Sequence, residues 1–272
     1  MASEFTVMSN PTADEVRKFW DANPLCASFI PHPLGSAQYF TYYDSLREGI
    51  ESLEFSYRLH EYRHFRGKRV LDVGAGNGYV LGKYAKEGAS VSGVDITPTA
   101  IDLCRKRFAH AGMPGDFHVA QAEQLPFEDA TFDCVCSMGV LHHVPDTVKA
   151  VAEIHRVLKP GGRLIVMFYH RNSALYRIKY RLLSVMQQRP IEQLVNEFDG
   201  VGNPKGTVYS KRELAALLQG FESLDMFVGY LTGDMMLPRG GRFIPNALLK
   251  PLAPMLGWNL YAKGRKPVGA SR

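Results

Sequence analysis

Hydrophobic and polar positions fall into two textures along this chain. From Gly67 to Tyr169, short apolar runs alternate with amphipathic stretches. The runs Arg69 to Val73, Ser90 to Val94, Phe117 to Ala120, Thr131 to Met138 and Arg163 to Tyr169 read as strands, some apolar enough to be buried on both faces. Between them lie helical patterns at Val80 to Glu87, Pro98 to about His110 and Pro145 to Leu158. Thr97 is placed to cap the second of these, and Pro98 suits a first helical position. Lys159-Pro160-Gly161-Gly162 reads as a helix breaker and a turn into the fifth strand. Repeated βα alternation predicts an α/β fold with a doubly wound, mostly parallel sheet.

The flanks follow other patterns. Residues 1–10 read as frayed, and a helix runs from Pro11 through Val16 and Phe19, with Thr12 as cap. Trp20 to Gly35 is a proline-bearing loop that is too apolar to lie in solvent, and Gln38 to Phe65 reads as helix dense in tyrosine and phenylalanine. Together, residues 1–65 are expected to form a helical lid on a core of 66–272. After Tyr169 a helix from Ser173 to about Gln188 is expected to bury Leu175, Ile178, Leu182 and Val185, with Arg177, Lys179 and Arg181 off that stripe. Ser210 opens a capping box for a helix over Arg212 to Leu218. Phe221 to Tyr230 and Trp258 to Lys263 complete seven strands, leaving lid insertions at about 171–208 and 231–257.

Composition changes this picture little. At 272 residues, 46% hydrophobic and 22% charged, the chain has the balance of a soluble globular protein. A net charge of +5 is too small to argue for nucleic acid. No apolar run approaches the roughly 18 residues of a membrane span, and no signal peptide is expected. Cys134 and Cys136 are read as facing opposite sides of their strand, poor geometry for a disulfide or zinc. Four thiols in a reducing cytoplasm are therefore expected, with no metal.

The candidate chemistry sits where the first strand ends. Val70-Leu71-Asp72-Val73-Gly74-Ala75-Gly76-Asn77-Gly78 runs from strand through three alternate glycines into a helix, the place where such sheets bind ligands. The spacing is G-x-G-x-G, and Tyr79 stands where a dinucleotide turn would have its third glycine. Asp72 would repel a pyrophosphate and attract an ammonium group, so a zwitterionic or cationic ligand is expected. A glycine turn without ligand is the plainer alternative.

Five further segments accompany this turn: Gly93-Val94-Asp95, Ala122-Glu123-Gln124-Leu125-Pro126-Phe127, Phe132-Asp133, Gly139-Val140-Leu141-His142-His143-Val144 and Leu158-Lys159-Pro160-Gly161-Gly162. In this order and spacing the chain resembles the class I S-adenosylmethionine-dependent methyltransferases, with their Rossmann-like fold. The likeness is to the small-molecule branch that includes the ubiquinone and menaquinone biosynthesis enzymes. It covers about residues 65–170. The resemblance implies S-adenosyl-L-methionine as cofactor. Gly74, Gly76 and Gly78 would lie under its methionine part, Asp72 would meet its amino group, and Asp95 would accept its ribose hydroxyls. Ile96 would press on the adenine, and Ala122 and Glu123 would touch the ring through their backbones. Gln121 stands where relatives usually carry an Asp for the adenine amino group. Ser137 and Met138 would line the methionine side. Asp95 as a mere helix cap and Glu123 as a solvated loop acid are the plainer readings.

For the transfer itself His142, just past the fourth strand, is the first candidate for a base. His143 is expected to point the other way, and Tyr169 and His170 are second-line contacts. Structural histidines are the competing view. The greasy flanks suggest a small apolar or aromatic acceptor, no nucleic acid and at most peripheral membrane contact. A nicotinamide oxidoreductase, a nucleic-acid or protein methyltransferase and a non-catalytic cofactor-binding module are the alternatives.

Overall fold

The computed structural model describes residues 11–24, 27–237 and 239–269. The expectations for residues 1–10, Leu25, Cys26 and Pro238 lie outside the described residues.

Five parallel strands form the first half of one sheet: β1 (Arg69–Val73), β2 (Ser90–Asp95), β3 (Asp116–Val119), β4 (Phe132–Met138) and β5 (Leu158–His170). A two-residue strand, β6 (Val208–Tyr209), pairs with the end of β5. β7 (Glu222–Gly229) and β8 (Asn259–Arg265) complete the sheet in the order β3-β2-β1-β4-β5-β8-β7. β8 is antiparallel to both of its neighbours. The seven expected strands are all on this path, with β6 as an addition. The strand order reverses between β1 and β4, which opens a crevice at their carboxyl ends.

The helices cover both faces. α1 (Ala13–Ala22) starts at Thr12, whose side chain and Glu15 form a reciprocal capping box. α2 (Ala37–Ile50), α3 (Leu53–His60), α4 (Tyr79–Lys86) and α5 (Pro98–His110) follow. The single helix expected over Gln38 to Phe65 is broken twice. Ser52 begins a new capped helix, and Glu61 takes a left-handed conformation at φ +54°. α6 (Thr147–Val157) is capped by Asp146. α7 (Tyr180–Gln187), α8 (Ile191–Asn196) and α9 (Lys211–Leu217) complete the longer helices.

Three apolar clusters hold these layers together. One joins Tyr39, Tyr43, Tyr62 and Tyr84 to Val70, Cys134 and Cys136 under one sheet face. A second joins Leu71, Val135 and Leu164 to Ile154 and Leu214 on the other face. Cys134 and Cys136 therefore share a face, contrary to the expectation, because residues two apart on a strand point the same way. Both are free and buried, as is Cys104. The register slips between Phe132 and Cys134, where Leu158 and Arg163 are their partners on β5. The expected turn at 159–162 is this slip, taken up inside the strand.

The third cluster lies under the insertions, where Tyr169, Leu175, Tyr176 and Tyr180 meet Met235 and Leu249. Here the predicted stripe holds at Leu175 and Ile178 and fails at Leu182 and Val185. Leu175–Lys179 is a π-helical turn that precedes α7. The turn packs Leu175 and Tyr176 inward, and α7 then buries Tyr180 and leaves Leu182 and Val185 in solvent, Val185 at 80% exposure. Among the described residues no helix is long and apolar enough to cross a membrane.

Candidate active site

β1 carries Asp72 into the crevice with 3% exposure, and its Oδ1 has no hydrogen-bond partner. Burial raises this carboxyl to about 8, against a side-chain bond with Cys136 and with help from the charge of Asp95. The turn that follows holds Gly74, Gly76 and Gly78 at φ +81°, +55° and +77°. Their roles differ. A Cβ on Gly74 would sit 2.2 Å from a methyl of Val140, so this glycine lets the loop after β4 close against the turn. A Cβ on Gly78 would touch Cys104 at 3.3 Å. A Cβ on Gly76 would meet nothing within 4 Å, so this backbone faces open space.

Asp95 ends β2 beside that space. Its Oδ2 accepts from the Gly76 amide at 3.1 Å, and its Oδ1 accepts from the Thr97 amide at 3.0 Å and the Thr97 hydroxyl at 2.9 Å. Burial pushes its carboxyl up, while these donors pull it down. Thr97, not Asp95, is the cap of α5, as its hydroxyl accepts from the Ala100 amide at 3.3 Å. Ile96 is half-buried next to Asp95, and Gln121 is exposed. Ala122 is buried. Glu123 is no solvated acid: it is buried, and its Oε1 accepts from the Asp146 amide at 3.1 Å. The Ser137 hydroxyl donates to the Val73 carbonyl at 2.7 Å and ties β4 to β1, while Met138 is half-buried.

A second group lies past β4 and β5. His142 is completely buried, and neither ring nitrogen has a hydrogen-bond partner. Burial holds it well below the ordinary imidazole range, and His143 adds to that. Its ring centre lies 3.8 Å from that of Tyr169 and 4.1 Å from that of His143. The expectation that His143 points elsewhere is thus corrected, since both rings join one cluster. His143 Nδ1 bonds the Lys205 carbonyl, and its Nε2 lies 3.6 Å from Asp199 Oδ2. Asp199 Oδ1 accepts from the Tyr169 hydroxyl at 2.7 Å. Burial lowers His143 and raises Asp199. The Trp258 ring lies tilted, 4.3 Å from that of Tyr169 and 4.4 Å from that of Phe198. His170 does not join this group, as its Nδ1 bonds the Gly257 carbonyl at 3.1 Å.

α1 spans the two halves. Trp20 places its ring 5.0 Å from that of His143, and Asp21 accepts from the Thr99 amide at 3.3 Å, at the start of α5. Asp199, Trp20, Phe198 and Trp258 were not legible as site residues. Phe198 and Asp199 adjoin each other but lie far from Trp20 and Trp258 in sequence, and none of the four carries a motif. The hint for Asp199 was an acid set between Phe198 and Gly200.

The donors suit S-adenosylmethionine. An unpaired buried carboxyl oxygen fits an ammonium group, whose charge would favour ionised Asp72, an open backbone cradle fits a ligand chain, and a strand-end acid beside it fits a ribose diol.

The fold is that of class I S-adenosylmethionine-dependent methyltransferases. A family model described as "Methyltransferase domain" matches residues 71–166. The ubiquinone biosynthesis O-methyltransferase of Aromatoleum aromaticum is 37% identical over 111 residues, which cover 40% of this chain and 47% of that one. The chain thus spans about half the length of this curated relative. A methyltransferase of Methanosarcina mazei described as S-adenosylmethionine-dependent superposes with a TM-score of 0.56 at 25% identity, over 78% of this chain and 98% of its own. The [4+2]-cyclase SpnF does so with a TM-score of 0.59 at 20% identity, over 97% and 99%.

Proposed function

We propose that this chain transfers a methyl group from S-adenosyl-L-methionine to a small apolar or aromatic acceptor by in-line displacement. The observation that carries the reading is the orphaned Asp72 oxygen at the end of β1, over a glycine turn with open space at Gly76. Leaving a buried carboxyl oxygen unpaired costs a few kcal/mol, so the site suits a donor that arrives with a ligand.

Asp72 would take the amino group, Gly74 to Gly78 the methionine chain, Asp95 the ribose, and Ile96, Gln121 and Ala122 the adenine. The side chains of Glu123 and Ser137 already hold the backbone, so they would shape the site without touching the ligand. Met138 would line the methionine side. When bound, the cofactor supplies a sulfonium methyl that is already electrophilic. The residues of the chain then have three tasks: to align the acceptor, to exclude water and to take one proton. His142, His143 and Tyr169 sit together for these tasks. The Trp20 contact supports α1, and with it residues 1–65, as a lid. Phe198, in the insertion at about 171–208, and Trp258, just past the one at about 231–257, would supply an aromatic wall. An acceptor without nucleic acid, membrane contact that is at most peripheral, and a reducing cytoplasm fit the modest charge and the free buried thiols.

Calorimetry tests the cofactor site. The wild type should bind S-adenosylmethionine. Gly76→Ala should fold, with the left-handed residue costing about 1–2 kcal/mol, yet lose binding by at least about tenfold. A filter assay with labelled methyl on RNA, protein and metabolite extracts should label the metabolite fraction. Cofactor binding without any transfer would point to another chemistry on this fold; no binding would sink the reading.

A further inference from the structure

A cleft of about 160 Å³ opens at the amino ends of β1 and β4, on the edge of the sheet opposite the glycine turn. That is several times the space one water needs. Lys68, Lys159, Arg163 and Arg265 line it, together with Glu61 and Asp133. Four cations thus face two acids, and the methyl-transfer reading uses none of them.

The two acids are already engaged. Glu61 Oε1 accepts from Arg163 Nη2 at 2.7 Å and from Lys263 Nζ at 2.9 Å, and its Oε2 accepts from Arg163 Nε at 3.2 Å. Asp133 Oδ1 accepts from Lys159 Nζ at 2.9 Å, and its Oδ2 accepts from the Arg69 amide at 2.9 Å. Lys68 and Arg265 are left without an ion pair among the described residues. Lys68 is half-buried, with its Nζ 5.6 Å from the centre of the Phe65 ring. The Arg265 side chain donates only from Nη1, to the Gly161 carbonyl at 3.2 Å. Its Nε and Nη2 donors remain for a ligand.

The strand register makes this arrangement costly. Arg163 on β5 and Arg265 on β8 stand directly opposite each other in an antiparallel ladder, so their side chains share a face. Lys263, two residues before Arg265, points to the same face. Like charges placed opposite one another destabilise a sheet. Glu61 serves Arg163 and Lys263, and Glu222, across from Arg265 on β7, forms no ion pair with it. Sequences break such a rule chiefly at functional sites.

We propose that this cleft binds the phosphate group of a small phosphorylated molecule. Arg265 would take two phosphate oxygens in a fork through Nε and Nη2, and the Lys68 ammonium would supply a second charge. The site lies at the other end of β1 from Asp72 and stands apart from the methyl-transfer reading.

Isothermal titration of the full chain with inorganic phosphate, at constant ionic strength, tests this. The wild type should bind one equivalent saturably, with a Kd at or below about 1 mM. Arg265→Gln and Lys68→Gln should each weaken binding at least about fivefold. Arg181→Gln, which removes an exposed cation on α7, should leave binding unchanged. Without phosphate, the thermal midpoint of Arg265→Gln should be no lower than that of the wild type, since the substitution removes one of two opposed cations. With saturating phosphate the wild type should be the more stable. No saturable binding up to about 10 mM, undiminished binding in Arg265→Gln or Lys68→Gln, or an equal loss in Arg181→Gln would each overturn the proposal. Binding confined to polyuridylate, as a nucleic-acid surface would show, would overturn it too. S-adenosylmethionine affinity should be the same in every variant, which separates this result from the methyl-transfer reading.

Discussion

Asp72 is held in an environment that disfavours its charge. Its carboxyl keeps a proton up to about 8 in the folded chain, whereas an unfolded chain releases it near 3.8. Between those values the folded state binds more protons, so stability falls as pH rises, by at most about 1.4 kcal/mol per pH unit from this group. The loss is complete above about pH 8 and absent below pH 4. Asp72→Asn should therefore raise the thermal midpoint of the ligand-free protein at pH 8 and change it little near pH 4, as differential scanning calorimetry would record. At this scale the sequence was uneven. Asp72 and Asp95 were legible because glycines or a strand end adjoin them. Asp199 was not, because its partners, Tyr169 and His143, lie 30 and 56 residues away.

α1 is the element whose role depends most on one side chain. It rests on the site through Trp20 against His143 and through Asp21 at the start of α5. Trp20→Ala should raise the acceptor KM by about three- to tenfold and leave S-adenosylmethionine affinity unchanged, as steady-state kinetics and calorimetry would register. An unaltered KM would mean that α1 is only packing. α1 itself was readable from Thr12 and the acids after it. The segment after Ser173 was readable as helix but not by face. A π turn at Leu175–Lys179 widens the helical repeat, so a stripe counted at 3.6 residues per turn drifts off the core before it reaches Leu182 and Val185. The cysteine faces on β4 failed for another reason. The two-residue period settles them, and the slip at Phe132 then turns that ring to the opposite cluster.

Across the whole molecule, the sheet was legible because each parallel strand is followed by its own helix, and that alternation leaves few topologies open. The order of its far edge was not, since β8 enters between β5 and β7 by a pairing that no periodicity records. That insertion can be tested by truncation. A chain ending at Gly257 should form the β1 to β5 half and then sediment as aggregate, whereas the full chain stays monodisperse in analytical ultracentrifugation. Every described residue proposed for the cofactor pocket lies before position 140, yet the strand that closes the sheet next to β5 is translated after β7. A nascent chain paused on the ribosome before residue 259 would carry a nearly finished pocket beside two bare backbone edges, each a template for another polypeptide. Synthesis of this protein should therefore depend on chaperones between the emergence of β5 and that of β8, when the pocket at the end of β1 is already made.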